Sequence, residues 1–190
     1  SSATLADNDY QGLDTTLTFA PGDSLKTITV LVNQDTKFEP DEAFQVSLSN
    51  AINGVLTLDS NVSGEIQNDD GLPTITLIAS QDSIAENGGQ AYFIASLSNS
   101  SYQTISATLN TGGSASLVSD YTLSTASFNF PSGALLDSSL VTGVNDLIYE
   151  TPMEYLSGTL SALTNVGLGN PNLDTLYIID DESIPHISLS

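Results

Sequence analysis

Short runs in which apolar and polar residues alternate fill most of this chain. Phe93, Ala95 and Leu97 share one face of an extended segment, and so do Ile105, Ala107 and Leu109. A strand sends successive side chains to opposite faces, so period-two alternation marks a half-buried strand. The pattern predicts seven strands over the stretch from Leu72 to Ser183: 73–79, 90–98, 104–110, 126–131, 138–144, 153–163 and 174–180. Gly88-Gly89, Gly112-Gly113, Pro131 with Gly133, and an Asn, Gly and Pro cluster from 165 to 172 break the runs. No long stretch carries helical periodicity. Short strands at this spacing predict an all-β fold, an antiparallel β-sandwich of immunoglobulin-like type, large enough to bury a core without disulfides.

The same pattern occurs more than once. Asp9-Tyr10 falls on Asp120-Tyr121 at an offset of 111, and Phe19, Gly22, Asp35 and Glu39 then fall on Phe130, Gly133, Asp146 and Glu150. One inserted residue later, Glu42 matches Glu154 and Leu48 matches Leu160; Asp69-Asp70 matches Asp180-Asp181. "PTITL" at 73–77 returns as "PHISL" at 185–189. Matches in order at one offset mark a duplication. Residues 1–71 read as the later part of one repeat, 72–183 as a complete repeat, and 184–190 as the first strand of another. An acidic pair is followed almost at once by the next strand, a junction that favours a stiff array of tandem sandwiches. Phe19, Phe44, Phe93, Phe128 and Phe130 are expected in the cores, and Tyr10 and Tyr121 at sandwich edges.

Charge changes the picture. Among 190 residues there are 23 Asp+Glu, 2 Lys+Arg, one His and no Cys, a formal net charge of −21. Such a chain has too few cations to neutralise nucleic-acid phosphates or anionic lipid. No apolar run is long enough to span a bilayer as a helix, and the first residues lack a basic-then-apolar secretion signal. Disorder, the other habit of acidic chains, does not fit 39% hydrophobic residues in regular runs. Without Cys there are no disulfides, thiolate zinc sites or cysteine nucleophiles. His186 lies outside the complete repeat, so a Ser-His-Asp arrangement within one unit is ruled out. Catalysis is not expected.

The acids sit at strand ends. Glu86 follows the first predicted strand, Asp120 the third, Asp146 and Glu150 the fifth, and Asp180-Asp181 the last. Odd-numbered strands of a sandwich finish at one pole, so separate segments should bring carboxylates together there. Several convergent oxygens with no soft ligand suit Ca²⁺, which tolerates irregular geometry, better than Mg²⁺ or Zn²⁺. Asp23, Asp137 and Asp174 fall away from that pole and read as surface charge; Glu182 reads equally well as a linker acid or a ligand.

The stretch "DYQGLDTTLTFAPGDSLKTITVLVNQDTKFEPDEAFQVSLSNA" with "GEIQNDD" resembles the Calx-beta motif, a repeat of sodium–calcium exchangers, integrin β4 and many large bacterial surface proteins. The second repeat shows the same order in "SIAENGG", "SDYT", "FPSG", "NDLIYETPMEYL" and "IIDD". The resemblance implies calcium ligands at Glu86, Asp120, Asp146, Glu150, Asp180 and Asp181, with Glu154 a weaker match. In the first repeat it implies Asp9, Asp35, Glu39, Glu42, Asp69 and Asp70. Runs of three acids found in the family are interrupted here, as Asn33-Gln34-Asp35, Val144-Asn145-Asp146 and Asn68-Asp69-Asp70. Fewer charges imply one or two ions per repeat and dissociation constants of roughly 10⁻⁴ to 10⁻³ M. The expected role is a calcium-stiffened stalk, fibre or adhesin spacer, extracellular or at a bacterial cell surface. Its partners would be calcium ions, adjacent repeats and other copies in a fibre. A calcium-sensing module is one alternative, and a subunit of an extracellular filament whose copies exchange strand 184–190 is another.

Overall fold

The computed structural model describes residues 2–58, 60–150 and 153–189, and the chain divides into two compact units, Ser1–Asp70 and Gly71–Ser190. Strands, bridges and turns account for the regular structure; no helix occurs among the described residues.

In the first unit, β1 (Glu42–Ser47) pairs antiparallel with β2 (Asn61–Ile66), and Phe44 lies opposite Gly64. The match is steric: a Cβ at Gly64 would come within 2.3 Å of the Phe44 ring. Tyr10 packs against that ring, centroids 5.2 Å apart. An isolated bridge joins Tyr10 to Val32. Ile28 and Val30, which alternate with polar residues as a strand would, carry none. Phe19 is 52% exposed, a correction to its expected core position.

The second unit contains β3 (Thr74–Ala79), β4 (Ser83–Ala85), β5 (Gln90–Leu97), β6 (Ile105–Gly113), β7 (Tyr121–Leu123), β8 (Ser127–Phe130), β9 (Leu136–Gly143), β10 (Glu154–Thr164), β11 (Gly167–Leu168) and β12 (Leu173–Ile179). They form two sheets in the orders β4-β12-β10-β6-β8 and β11-β3-β5-β9-β7. The inward residues are those the alternation selects: Ile75, Leu77, Phe93, Ala95, Ile105, Phe128, Phe130, Val141, Leu156 and Leu176 make one core between the sheets. Gly158 lets the Phe93 ring come close, where a Cβ would lie 2.8 Å from it. Tyr121 is 2% exposed and belongs to the core, not to an edge; its hydroxyl donates to Thr111 Oγ1 at 3.0 Å.

The seven expected strands are present, and the structure adds three short ones, β4, β7 and β11. Two of them, β4 on β12 and β11 on β3, run parallel to their partners, against the all-antiparallel expectation. Pieces of two or three residues are too short to show an alternation, so periodicity passes over them. Residues 184–189, expected as an opening strand, form none, whereas the matching strand β3 of the second unit pairs with β5.

Phe130 is 1% exposed and Phe19, its repeat partner, 52%. Phe130→Ala should destabilise the second unit by about 3–5 kcal/mol, as large-to-small core changes do. Phe19→Ala should cost a small fraction of that. Urea unfolding read by site-resolved amide exchange checks the pair, and equal losses would contradict the burial contrast.

Candidate metal centre

The parallel pairing of β4 with β12 builds the centre of the acidic pole. Its register sets Ala85 beside Ile179, so the next residue on each strand, Glu86 and Asp180, is an acid beside an acid. The Glu86 N–H donates to Ile179 O at 3.0 Å. Glu86 is 3% exposed, and its Oε1 accepts the Asp146 N–H at 2.9 Å. Gly143 closes the same corner: a Cβ there would lie 2.6 Å from Ala85 O and 2.7 Å from Glu86 O. At an edge of the other sheet β7 pairs with β9, and Asp120 O accepts the Val144 N–H at 2.9 Å. Its carboxylate is also tied, with Oδ2 accepting the Ser116 N–H. β10 begins at Glu154, opposite Ile178, and so enters at the same pole.

Three groups of acids result, each with ligand oxygens within 4.8 Å of one another: Glu86–Glu150–Asp180, Asp120–Glu150–Glu154 and Glu86–Asp181–Glu182. Glu86 and Glu150 each belong to two groups, so the set is continuous. Two unit charges 4 Å apart repel by about 4 kcal/mol at a surface-like effective dielectric. No Lys or Arg occurs between Gly71 and Ser190 to offset this. Burial first, then contact with Asp120 and the charges of Asp120, Glu150 and Glu86, push Glu154 up to about 7. Burial and the charges of Asp120, Asp146, Glu86 and Asp180 likewise raise Glu150. Glu154 Oε2 and Glu182 Oε2 are buried and accept no hydrogen bond. Buried oxygens without partners are costly unless protonated or met by a cation. An all-oxygen, irregular donor set of this kind fits Ca²⁺.

Of the acids expected here, Glu86, Asp120, Glu150, Glu154, Asp180 and Asp181 converge in these groups. Asp146 stands outside them: its N–H holds Glu86, and its Oδ1 accepts the Ile148 N–H at 2.7 Å. Glu182, which the sequence left equally open as a linker acid or a ligand, joins them and completes an Asp-Asp-Glu run. Asp23, Asp137 and Asp174 are more than free surface charge. Asp174 accepts the Ala79 N–H at 2.7 Å, Asp137 the Asn129 N–H at 2.8 Å, and Asp23 the Ala20 N–H at 3.1 Å.

The first unit repeats the local wiring. Asp9 O accepts the Asn33 N–H at 3.0 Å, as Asp120 O does that of Val144. Asp35 Oδ1 accepts the Lys37 N–H at 2.7 Å, as Asp146 does that of Ile148. All six expected acids, Asp9, Asp35, Glu39, Glu42, Asp69 and Asp70, line one cleft of about 720 Å³. Only Asp9 and Glu39 enter a tight group, and the third member is Asp7, which repeat matching misses because Val118 stands at its place in the second unit.

A sandwich with a carboxylate-lined pole defines a domain of the metal-binding type. The Calx-beta domain family matches residues 1–70 and 68–182, and the chain belongs to that family of calcium-binding domains. Among solved structures, the apo-form Calx CBD1 domain is similar at 20% identity and a TM-score of 0.51, over 58% of this chain and 99% of that one. CBD12 from CALX1.2 is similar at 20% identity and 0.49, over 57% of this chain and 44% of that one. The calcium binding domain CBD12 of CALX1.1 gives 20% and 0.47, over 56% and 44%. The first of these shares the sandwich fold. No curated protein sequence matches the chain.

The raised Glu154 has a measurable consequence. A carboxyl that holds its proton more tightly when folded stabilises the fold at low pH and loses that contribution as pH rises through its folded value. In metal-free protein the second unit should therefore melt at progressively lower temperature between the ordinary glutamate value of 4.5 and about 7. Calorimetry in chelator across that window checks this, and Glu154→Gln should flatten the slope. A rise with pH would contradict it.

Proposed function

We propose that the chain is a run of calcium-binding sandwiches that stiffen when metal binds, acting as a spacer in a stalk or fibre of a secreted or surface-anchored protein. The carrying observation is the pole of the second unit, where carboxylates from several strands meet with two buried oxygens unpartnered and no Lys or Arg in the unit. Glu86, Asp120, Glu150, Glu154, Asp180 and Asp181 would hold the ion, with Glu182 beside them and the Asp146 N–H fixing Glu86. Bound calcium supplies positive charge and oxygen coordination; the protein supplies a fixed strand register, so little chain must be ordered on binding. The interrupted acid runs favour affinities suited to millimolar extracellular calcium.

The spacer role rests on the duplication and on the short passage from Asp70 to Thr74, where β3 begins. Tethering the terminal acids to the turns would stiffen the chain where it leaves one unit for the next. A regulatory calcium sensor is the second reading, favoured by the fold likeness to a Calx CBD1 domain. The two differ in affinity: a sensor requires sites in the range of about 10⁻⁷ to 10⁻⁵ M.

A ligand bound only by the folded state stabilises by about 1.4 kcal/mol at ten times its dissociation constant. For a domain of this size that corresponds to roughly 5 °C. Melting of the 190-residue chain in millimolar calcium and in chelator should show such a rise for the second unit. Glu150→Gln, which touches two of the acid groups, should remove most of it. No rise in the intact chain would sink the calcium reading, and saturation in the micromolar range would replace the spacer with the sensor.

A further inference from the structure

The chain's two Lys+Arg residues, Lys26 and Lys37, both lie in the first unit, and one of them stands inside its acidic group. Lys37 Nζ is 2.7 Å from Asp7 Oδ2 and 2.6 Å from Glu39 Oε1. Those two acids and Asp9 are the three whose oxygens lie within 4.8 Å of one another. The ammonium thus sits among the oxygens that would otherwise meet a cation. Asp9 shows that the site is built for one: it is 7% exposed, and its Oδ1 is buried without a hydrogen bond. Lys37 itself is well covered, its side chain 17% exposed.

We infer that Lys37 is the resident cation of the first unit, occupying its acidic site in competition with calcium, so that the two units of one chain differ in calcium dependence. This inference rests on the calcium reading of the family's acidic pole. It is specific to the first unit, because position 148, the repeat counterpart of 37, is Ile and is 63% exposed. The comparison is close, since the N–H of each residue makes the same 2.7 Å bond to the Asp two positions earlier. The acid pairing is also particular to this unit, Asp7 being replaced by Val118 in the second. Burial works against the charge of Lys37, but hydrogen bonds to Asp7 and Glu39 outweigh it and hold the ammonium protonated above the ordinary lysine range. The Lys37 hydrogen bond in turn keeps Asp7 below its usual value. A strongly hydrated point charge on a flexible stem suits such a role, as it can leave the site when a divalent ion outcompetes it.

A reciprocal exchange tests this. The whole chain, with Lys37→Ile or with Ile148→Lys, is titrated with Ca²⁺ and followed by amide NMR shifts at Asp35 and Asn68 in one unit and at Glu86 and Asp146 in the other. In the unaltered chain the first unit should respond only at calcium levels well above the second. Lys37→Ile should lower the first unit's midpoint on the order of tenfold or more, and Ile148→Lys should raise the second unit's midpoint by a similar factor. In chelator, Lys37→Ile should lower the first unit's melting temperature, and added NaCl should recover much of the loss. Midpoints in the first unit unmoved by Lys37→Ile would overturn the inference while leaving the calcium reading intact. If the second unit of the unaltered chain ignored calcium, the calcium reading would fail. The lysine's place as internal cation would then stand or fall on the salt-sensitive loss in chelator, and an unchanged melting temperature there would overturn it.

Discussion

Carboxylates a few ångströms apart repel, and the second unit keeps them there because its strand register allows nothing else. Ala85 lies beside Ile179, so Glu86 must lie beside Asp180. Tyr121 lies beside Gly143, which brings Asp120 to the turn after β9. The core behind them, from Phe93 to Leu176, fixes both sheets and therefore fixes the pole. Hydrophobic burial in the sandwich opposes electrostatic repulsion at its end. Burial first, and then the neighbouring charges, make Glu154 and Glu150 both hold protons more tightly than free glutamate.

A protein can relieve such a cluster by protonation, by an internal cation or by a bound metal ion, and the two units draw on different ones. The second has no Lys or Arg at all, which leaves protons and external cations. The first has an ammonium between Asp7 and Glu39, although burial still raises Glu39 somewhat despite that partner. Their backbones nonetheless agree closely: the bonds from Asn33 to Asp9 and from Val144 to Asp120 differ by 0.1 Å, at 3.0 and 2.9 Å. Duplication preserved the turn geometry, and changes at single positions, 37 against 148 and 7 against 118, altered its electrostatics. Extracellular location, a spacer role and calcium dependence form one consistent proposal on this basis, because a weak site is of use only where calcium is abundant.

Much of this was legible in the chain itself. Alternation located the seven long strands, since a half-buried strand must alternate whatever its neighbours are. The offset of 111 picked out acids that the folded second unit brings together, Glu86 apart, but it passed over Asp7, whose counterpart is Val118. Composition showed too few cations to neutralise nucleic-acid phosphates. Tertiary structure decided what depends on pairing between distant segments. The parallel pairing of β4 with β12, the core position of Tyr121 and the joining of Glu182 to Glu86 leave no periodic trace, since each involves few residues and a remote partner. The exposure of Phe19, where Phe130 at the matching position is buried, likewise leaves no trace in the local alternation. Only the folded unit could show Lys37 standing between Asp7 and Glu39, because two residues thirty and two positions away in sequence meet one ammonium solely through the path of the chain.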